Sequence, residues 1–285
     1  METLSLTSRD GTALHGVILA APDNPKAVMT LIHGFGEHSA RYQAMADVLA
    51  MSGIAVISGD LRGHGQSDGK RGSVNSYQDL RDDLDAILTA TRARFSGVPH
   101  VLYGHSMGGG LVLHHLLDSP EVGHDLYSVI ASAPLLALKS PPGKLAEMAV
   151  RGLSKIAPGL VIKSPIDGTK ISTLPAEQSA YVNDPLTHGS MNARLAVGMV
   201  EAGQAASAAA SNWNIPLLLM HAQDDRLTDV TASMDFAAQA KQCQFHAFDN
   251  VEHEMHNDSC REAVYTLMRD FILETTKTKQ KRLTP

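Results

Sequence analysis

Gly104-His105-Ser106-Met107-Gly108-Gly109 stands at the centre of the chain's architecture. The apolar run Val101-Leu102-Tyr103 precedes it, and Leu111-Val112-Leu113-His114-His115-Leu116-Leu117 follows it. In order these read as a strand, a sharp turn and a helix. The pattern is G-x-S-x-G, and chemistry explains its glycines. A serine presented at the tip of so tight a turn leaves no room for neighbouring side chains. Gly104 and Gly108 carry no Cβ, so strand and helix can approach closely around Ser106. The turn lifts the Ser106 hydroxyl clear of the backbone and aims the Met107 amide at the place where an oxyanion would form. The helix that follows adds the positive end of its dipole there.

In that context G-x-S-x-G is the nucleophile elbow of α/β-hydrolases. The flanking sequence agrees with such a fold. Residues 4–7 and 13–20 read as two strands joined by the turn Arg9-Asp10-Gly11-Thr12, an Asp-Gly hairpin signal. Val28-Met29-Thr30-Leu31-Ile32 and Ile54-Ala55-Val56-Ile57 are nearly continuous apolar runs, as buried strands are. Helices are expected around Tyr42, Met45, Val48 and Leu49, and over 76–95, where Leu80, Leu84, Ile87 and Leu88 share a face. After a strand at 127–132 the alternation breaks. It resumes with Ile215-Pro216-Leu217-Leu218-Leu219-Met220, a helix over 231–241, a strand over 243–248 and a helix over 262–274. Strands alternating with helices predict a mostly parallel central sheet covered by helices on both faces. The expected organisation is a catalytic core formed by residues 1–133 and 214–285, with 134–213 inserted as a helical cap. The basic tail, 277–282, reads as a solvated end.

Composition bounds the function. The chain has 285 residues, 44% hydrophobic and 19% charged, with a net charge of −6, a globular balance that gives no reason to expect nucleic acid as a partner. Two cysteines, Cys243 and Cys260, cannot make a disulfide framework and fit a reducing compartment. The N-terminal residues lack a basic start and an apolar stretch, unlike a signal peptide, and no apolar run is long enough to span a bilayer. A cytoplasmic protein is the expectation.

A serine hydroxyl needs an adjacent base, and a histidine base needs a carboxylate to hold its tautomer. Two loops after Ser106 offer both, each at the carboxyl end of an expected strand, where open α/β sheets place their sites. One is His221-Ala222-Gln223-Asp224-Asp225-Arg226-Leu227-Thr228-Asp229; the other is Asp249-Asn250-Val251-Glu252-His253-Glu254-Met255-His256. His253 is the candidate base, with His256 and His246 as rivals. Spacing does not separate Asp224 from Asp225, and Asp229 stands third. His253-Glu254-Met255-His256 holds its histidines three apart, not the four of a helical zinc motif, so no metal is expected.

Three stretches carry a family resemblance. His33-Gly34-Phe35-Gly36-Glu37-His38 with Arg41-Tyr42, Asp60-Leu61-Arg62-Gly63-His64-Gly65-Gln66-Ser67 with Gly69 and Arg71-Gly72, and the elbow itself resemble motifs of monoacylglycerol lipases and the related lysophospholipases. Asn183-Asp184-Pro185-Leu186 extends the resemblance weakly into the inserted segment. It implies a serine ester hydrolase of the α/β-hydrolase fold that needs no cofactor. Its site residues would be Ser106, Asp225 and His253, with the amides of Phe35 and Met107 as oxyanion donors. Asp60, Arg62 and His64 would brace loops. The sequence departs from the pattern at Ala222, where glycine is usual, which keeps Asp224 in play. Lysophospholipase or small-ester carboxylesterase activity is the alternative on the same machinery, and a binding protein that lost the chemistry is the distant one.

Within 134–213, residues 144–157 read as an amphipathic helix with Leu145, Met148, Ala149, Leu153 and Ile156 on one face. That face is expected to pack on the core; the alternative is that part of it, with Met148 and Leu153, lines an acyl channel or touches a lipid surface transiently. Residues 190–211 read as a second helix, with Met191 as a further candidate substrate contact.

Overall fold

The chain is seen in a computed structural model that describes residues 1–163 and 166–283. The apolar runs become strands β1 (Glu2–Thr7), β2 (Ala13–Ala20), β3 (Ala27–Ile32), β4 (Ile54–Gly59), β5 (His100–His105), β6 (Leu126–Ser132), β7 (Val161–Lys163), β8 (Ser190–Asn192), β9 (Leu217–Ala222) and β10 (Cys243–Phe248). The helices are α1 (Gln43–Met51), α2 (Gln78–Arg94), α3 (Met107–Asp118), α4 (Lys144–Ile156), α5 (Pro175–Asn183), α6 (Ala193–Ala208), α7 (Val230–Gln239) and α8 (Arg261–Leu283). Eight strands form one sheet in the order β1-β2-β4-β3-β5-β6-β9-β10, while β7 and β8 pair separately. From β4 to β10 the pairing is parallel, and β2 joins antiparallel at one side. This is the α/β-hydrolase fold.

Strand periodicity divides the core into two layers. On β5, Val101 and Tyr103 face α1 and α8, whereas Leu102 faces α2 and α3; on β9, Leu218 and Met220 take the first side and Leu217 and Leu219 the second. All of these residues are fully buried, so the central strands read as continuous apolar runs for the reason expected of a sheet covered on both faces.

Two helix expectations need correction. Residues 190–211 are not one helix: Ser190–Asn192 form a strand, and α6 starts at Ala193, where the Asn192 side chain accepts from the Leu195 amide at 2.9 Å. An asparagine that caps a helix also ends the extended segment before it. The apolar face of α4 does not pack on the core. Leu145 and Ile156 are 84% and 86% exposed, and α4 has no buried residue. At the C-terminus α8 continues to Leu283, past the expected end of the last helix; the side chains from residue 279 onward, which include most of the basic tail, lie outside the described residues. No helix among the described residues is long and apolar enough to cross a membrane.

Glycine substitutions test this packing. A Cβ on Gly108 would meet the Ile32 carbonyl oxygen at 2.5 Å, whereas one on Gly152, in α4, would meet nothing within 4 Å. Gly108→Ala is expected to lower stability in urea by about 1–3 kcal/mol, and Gly152→Ala to raise it by about 0.5–1 kcal/mol through helix propensity. Equal urea midpoints for the two variants would contradict the close approach at Gly108.

Candidate active site

Ser106 sits between β5 and α3 with φ 52° and ψ −116°, a conformation that costs energy for any side chain and persists only where its surroundings enforce it. Here they do. The Ser106 amide donates to Ser132 O at 2.9 Å, and the Ser106 carbonyl accepts from Gly110 and Leu135 at 3.0 and 2.8 Å. A Cβ on Gly104 would lie 2.5 Å from Gly108 O, which is why both elbow positions hold glycine. Met107 opens α3, so its amide belongs to the helix's positive end.

The peptide between Gly34 and Phe35 is fixed from behind. His33 donates from Nδ1 to Gly34 O at 2.7 Å, and its Nε2 accepts from the Leu61 amide at 3.0 Å. In a trans peptide the N–H points opposite to the C=O, so tying the Gly34 carbonyl down turns the Phe35 amide the other way. Phe35 and Met107 line one cavity with Ser106.

His253 and Asp225 meet on the two loops that follow β9 and β10. His253 Nδ1 donates to Asp225 Oδ2 at 2.6 Å. Asp225 also accepts from the amides of Leu227 and Thr228 at 2.7 and 3.0 Å and from the Thr228 hydroxyl at 2.9 Å. His221, whose Nδ1 meets Ser233 Oγ at 2.8 Å, approaches the same carboxylate at 3.2 Å. Burial works to raise the Asp225 pKa, but the histidines and the hydrogen bonds outweigh it and hold the group well below the usual carboxylate range. Burial works to lower His253, yet Asp225, with Glu254 and Glu37 behind it, raises it above its ordinary value.

Asp224 is exposed and spends Oδ2 on the Asn250 amide at 2.9 Å; it bonds no histidine among the described residues. The geometry therefore separates the two aspartates that spacing did not. Asp229 caps α7. His256 stacks on Tyr42 with 4.6 Å between ring centroids, away from any carboxylate bond, and His246 is exposed on β10. Asp60 accepts from the amides of Ser39 and Gln66, while Arg62 bonds Asp83 and Asp10, so both tie loops together.

The cavity at Ser106 encloses about 240 Å³. One end is polar. Glu37, fully buried, accepts from the Gly34 amide at 2.5 Å and the Tyr42 hydroxyl at 2.7 Å. Arg41 lies between Glu37 and Glu254, at 3.4 and 2.5 Å, and its guanidinium covers the Tyr181 ring at 4.8 Å. Burial raises both carboxyls, but Arg41 and its neighbours bring Glu37 below its usual value, and the Glu37 charge helps keep Glu254 above it. Glu37 Oε2 faces Arg41 Nε across that 3.4 Å ion pair but makes no hydrogen bond, and the buried Tyr181 hydroxyl makes none either. A second cavity of about 410 Å³ opens beside the first, between residues 135–142, α4 and α6. The two share Leu135, Leu138, Met191 and Met199. Its lining is mostly apolar, with Glu147, Arg151 and Gln204 among the exceptions.

Met191 thus borders both spaces. Met148 and Leu153 border neither; Met148 is 67% exposed. Met148 turns to solvent and Leu153 is half-buried, whereas Val150, with Glu147 and Arg151, faces the groove. Sequence reasoning gave no part to Glu37, Arg41, Glu254 or Tyr181. Glu37 and Arg41 were visible within the first motif, but nothing in the sequence brought Glu254 and Tyr181 to them.

The fold and this cluster of side chains define a serine hydrolase. The chain belongs to the family described as "Serine aminopeptidase, S33", whose model matches residues 23–260. A Dictyostelium discoideum protein described as an uncharacterized abhydrolase domain-containing protein is 34% identical over 88% of the chain, which spans only 26% of that longer relative. A monoacylglycerol lipase from Mycolicibacterium smegmatis is 28% identical, with 83% of this chain and 85% of that one covered. Among solved structures, a monoacylglycerol lipase from Paleococcus ferrophilus is 26% identical with a TM-score of 0.82, covering 92% of this chain and 99% of that one.

Because Asp225 opposes burial at His253, removing its charge has a directional effect. In Asp225→Asn, His253 is expected to titrate lower than in the wild type, and in Asp224→Asn at its wild-type position, both read from imidazole resonances by NMR. A shift in the second variant and none in the first would reverse the assignment.

Proposed function

We propose that the protein hydrolyses monoacylglycerols through an acyl-enzyme on Ser106. The observation that carries this reading is the pairing of a charged, hydroxyl-bearing cavity at Ser106 with a mostly apolar groove opening from it. The similarity to monoacylglycerol lipases supports it. The protein is a carboxylic ester hydrolase. Ser106 Oγ attacks the ester carbonyl while His253 takes its proton; Asp225 keeps the imidazole in the right tautomer and stabilises the imidazolium. The amides of Phe35 and Met107 bind the oxyanion. Collapse of the tetrahedral intermediate breaks the bond to glycerol, and His253 gives that oxygen its proton. Water then attacks the acyl-enzyme by the same route in reverse and releases the fatty acid. The reaction needs no metal or organic cofactor.

Residues 134–213 act as the cap between the two parts of the core, 1–133 and 214–285. The Tyr181 hydroxyl and Glu37 Oε2, which make no hydrogen bond, suit the hydroxyls of a glycerol headgroup, since a buried polar atom without a hydrogen bond is costly. The apolar groove suits a single acyl chain, each buried CH₂ contributing about 0.8 kcal/mol. The outward face of α4, with Leu145, Met148 and Ile156, would touch the lipid surface that supplies substrate. The two free cysteines favour a cytoplasmic location.

A fluorophosphonate should label the wild type and not Ser106→Ala, and Asp225→Asn should lose roughly 10⁴-fold in kcat, as removing that carboxylate's charge does in a serine protease. Full hydrolysis by folded Ser106→Ala would end the mechanism. For the substrate, kcat/KM should rise with acyl length until the groove is full, and Val197→Trp should move the optimum to shorter chains. Met148→Asp should slow hydrolysis of substrate held in vesicles but not of a dissolved acetate ester. An efficiency highest on acetate, falling with each CH₂, would sink the acyl-groove reading.

A further inference from the structure

Residues 188–192 cross the core as a strap laid over two glycines. Gly36 and Gly72 both have positive φ, +74° and +61°, and a Cβ on either would overlap the strap, at the carbonyl of His188 and of Ser190 respectively. Hydrogen bonds follow the same path. The His188 amide donates to Gly36 O at 2.9 Å, and the Asn192 amide to Gly72 O at 2.8 Å. The Asn192 side chain, 1% exposed, donates to Ser73 Oγ and Val74 O.

The His188 side chain adds a second hold. Its Nε2 bonds Gly63 O at 3.0 Å and its Nδ1 the Ser190 amide at 3.3 Å. A carbonyl only accepts and an amide only donates, so the ring is the neutral Nε2–H tautomer. Burial, with Arg71 nearby, lowers its pKa to about 4, and the tautomer therefore persists across the neutral range. The ring meets Phe35 edge-on, at 5.6 Å and 89°, and lies 4.8 Å from His64, which itself meets Phe35 at 6.0 Å.

The Phe35 peptide is thus held from two directions. From the core, His33 takes the Gly34 carbonyl and Glu37 takes the Gly34 amide. From the cap, His188 takes the Gly36 carbonyl and packs on the Phe35 ring. A loop with glycines on both sides of Phe35 has little stiffness of its own, and an oxyanion donor works only when fixed before the charge develops.

We propose that His188 is a positioning residue of the hydrolysis: seated from the cap, it holds the Phe35 amide in line for the oxyanion. This rests on the reading of Phe35 as an oxyanion donor. It makes the cap part of the transition-state machinery as well as a wall of the substrate groove. Short esters that never enter the groove would depend on the cap for the same reason.

The test uses the full chain, a dissolved acetate ester, a methyl trifluoromethyl ketone as tetrahedral mimic, and decanoate as a groove ligand. Wild-type hydrolysis, Ser106 labelling and ketone binding are measured first, and their absence would sink the functional reading itself. In His188→Ala, kcat on the acetate ester should fall by about tenfold or more, since small misplacements at a reacting centre are costly, while KM stays within about twofold. Ketone affinity should fall in parallel and decanoate affinity should hold. His188→Gln, which can still donate to Gly63 O, should recover part of the loss. His188→Leu, which fills the space without the ring contacts or the bond to Gly63 O, provides the same kcat and ketone readings if the alanine variant does not fold. An acetate-ester kcat within about twofold of wild type in folded variants would overturn the proposal. So would equal losses of ketone and decanoate affinity, the mark of a cap that has simply loosened.

Discussion

Everything near Ser106 depends on how closely three pieces of backbone approach one another. The end of β3, the end of β5 and the first turn of α3 meet where Gly104 and Gly108 offer no side chain. That contact allows the left-handed backbone at Ser106, and the hydrogen bonds to Ser132, Gly110 and Leu135 hold it there. The parallel pairing from β4 to β10 then brings the loops after β3, β5, β9 and β10 to the same edge of the sheet. Four residues from distant parts of the chain converge there without any special device: Phe35, Ser106, Asp225 and His253.

Residues 134–213 are attached unevenly. At one end the amides of His253 and Glu254 donate to Lys170 O and Ile171 O, at 3.4 and 2.7 Å. At the other, the strap of residues 188–192 seats on Gly36 and Gly72. Both anchors fall on loops that carry candidate site residues. Helix α4 is held differently, by polar links: Arg151 pairs with Glu201 of α6, and Arg194 reaches Ser154 O. Stability is not uniform across a structure, and an element with no buried side chain belongs to its low end. A loosely packed part of the segment therefore forms one wall of the apolar groove.

Three buried carboxyls act on the histidine. Asp225, Glu37 and Glu254 are each at most 2% exposed, and the Arg41 guanidinium pairs with the latter two. Burying carboxylates is expensive unless donors surround them. Asp225 meets that condition with two amides, a hydroxyl and His253. Glu37 and Glu254 meet it through Arg41, the Gly34 amide, Tyr42 and Asn257. All three carboxyls act on His253 in the same direction, which favours proton uptake by a base that burial would otherwise keep neutral.

The order of strands and helices in the core, the elbow, and the two loops that hold the acid and base are legible in the chain's local patterns. These are local signals: a period of two or 3.6, a glycine with no room beside it, a polar loop after an apolar run. The resemblance pointed to Asp225, but a choice between adjacent aspartates depends on which one turns inward, and only the tertiary structure decided that. It also decided the fate of α4. Periodicity marks an apolar face but not what the face meets: Met148 is exposed, and of the apolar side chains of α4 it is Val150 that borders the groove. The polar end of the cavity joins Glu37 and Arg41 to Tyr181 and Glu254, across more than two hundred residues of chain between Arg41 and Glu254. No local pattern records such a contact, because it exists only when the sheet has brought the loops to one edge and the inserted segment has closed over them.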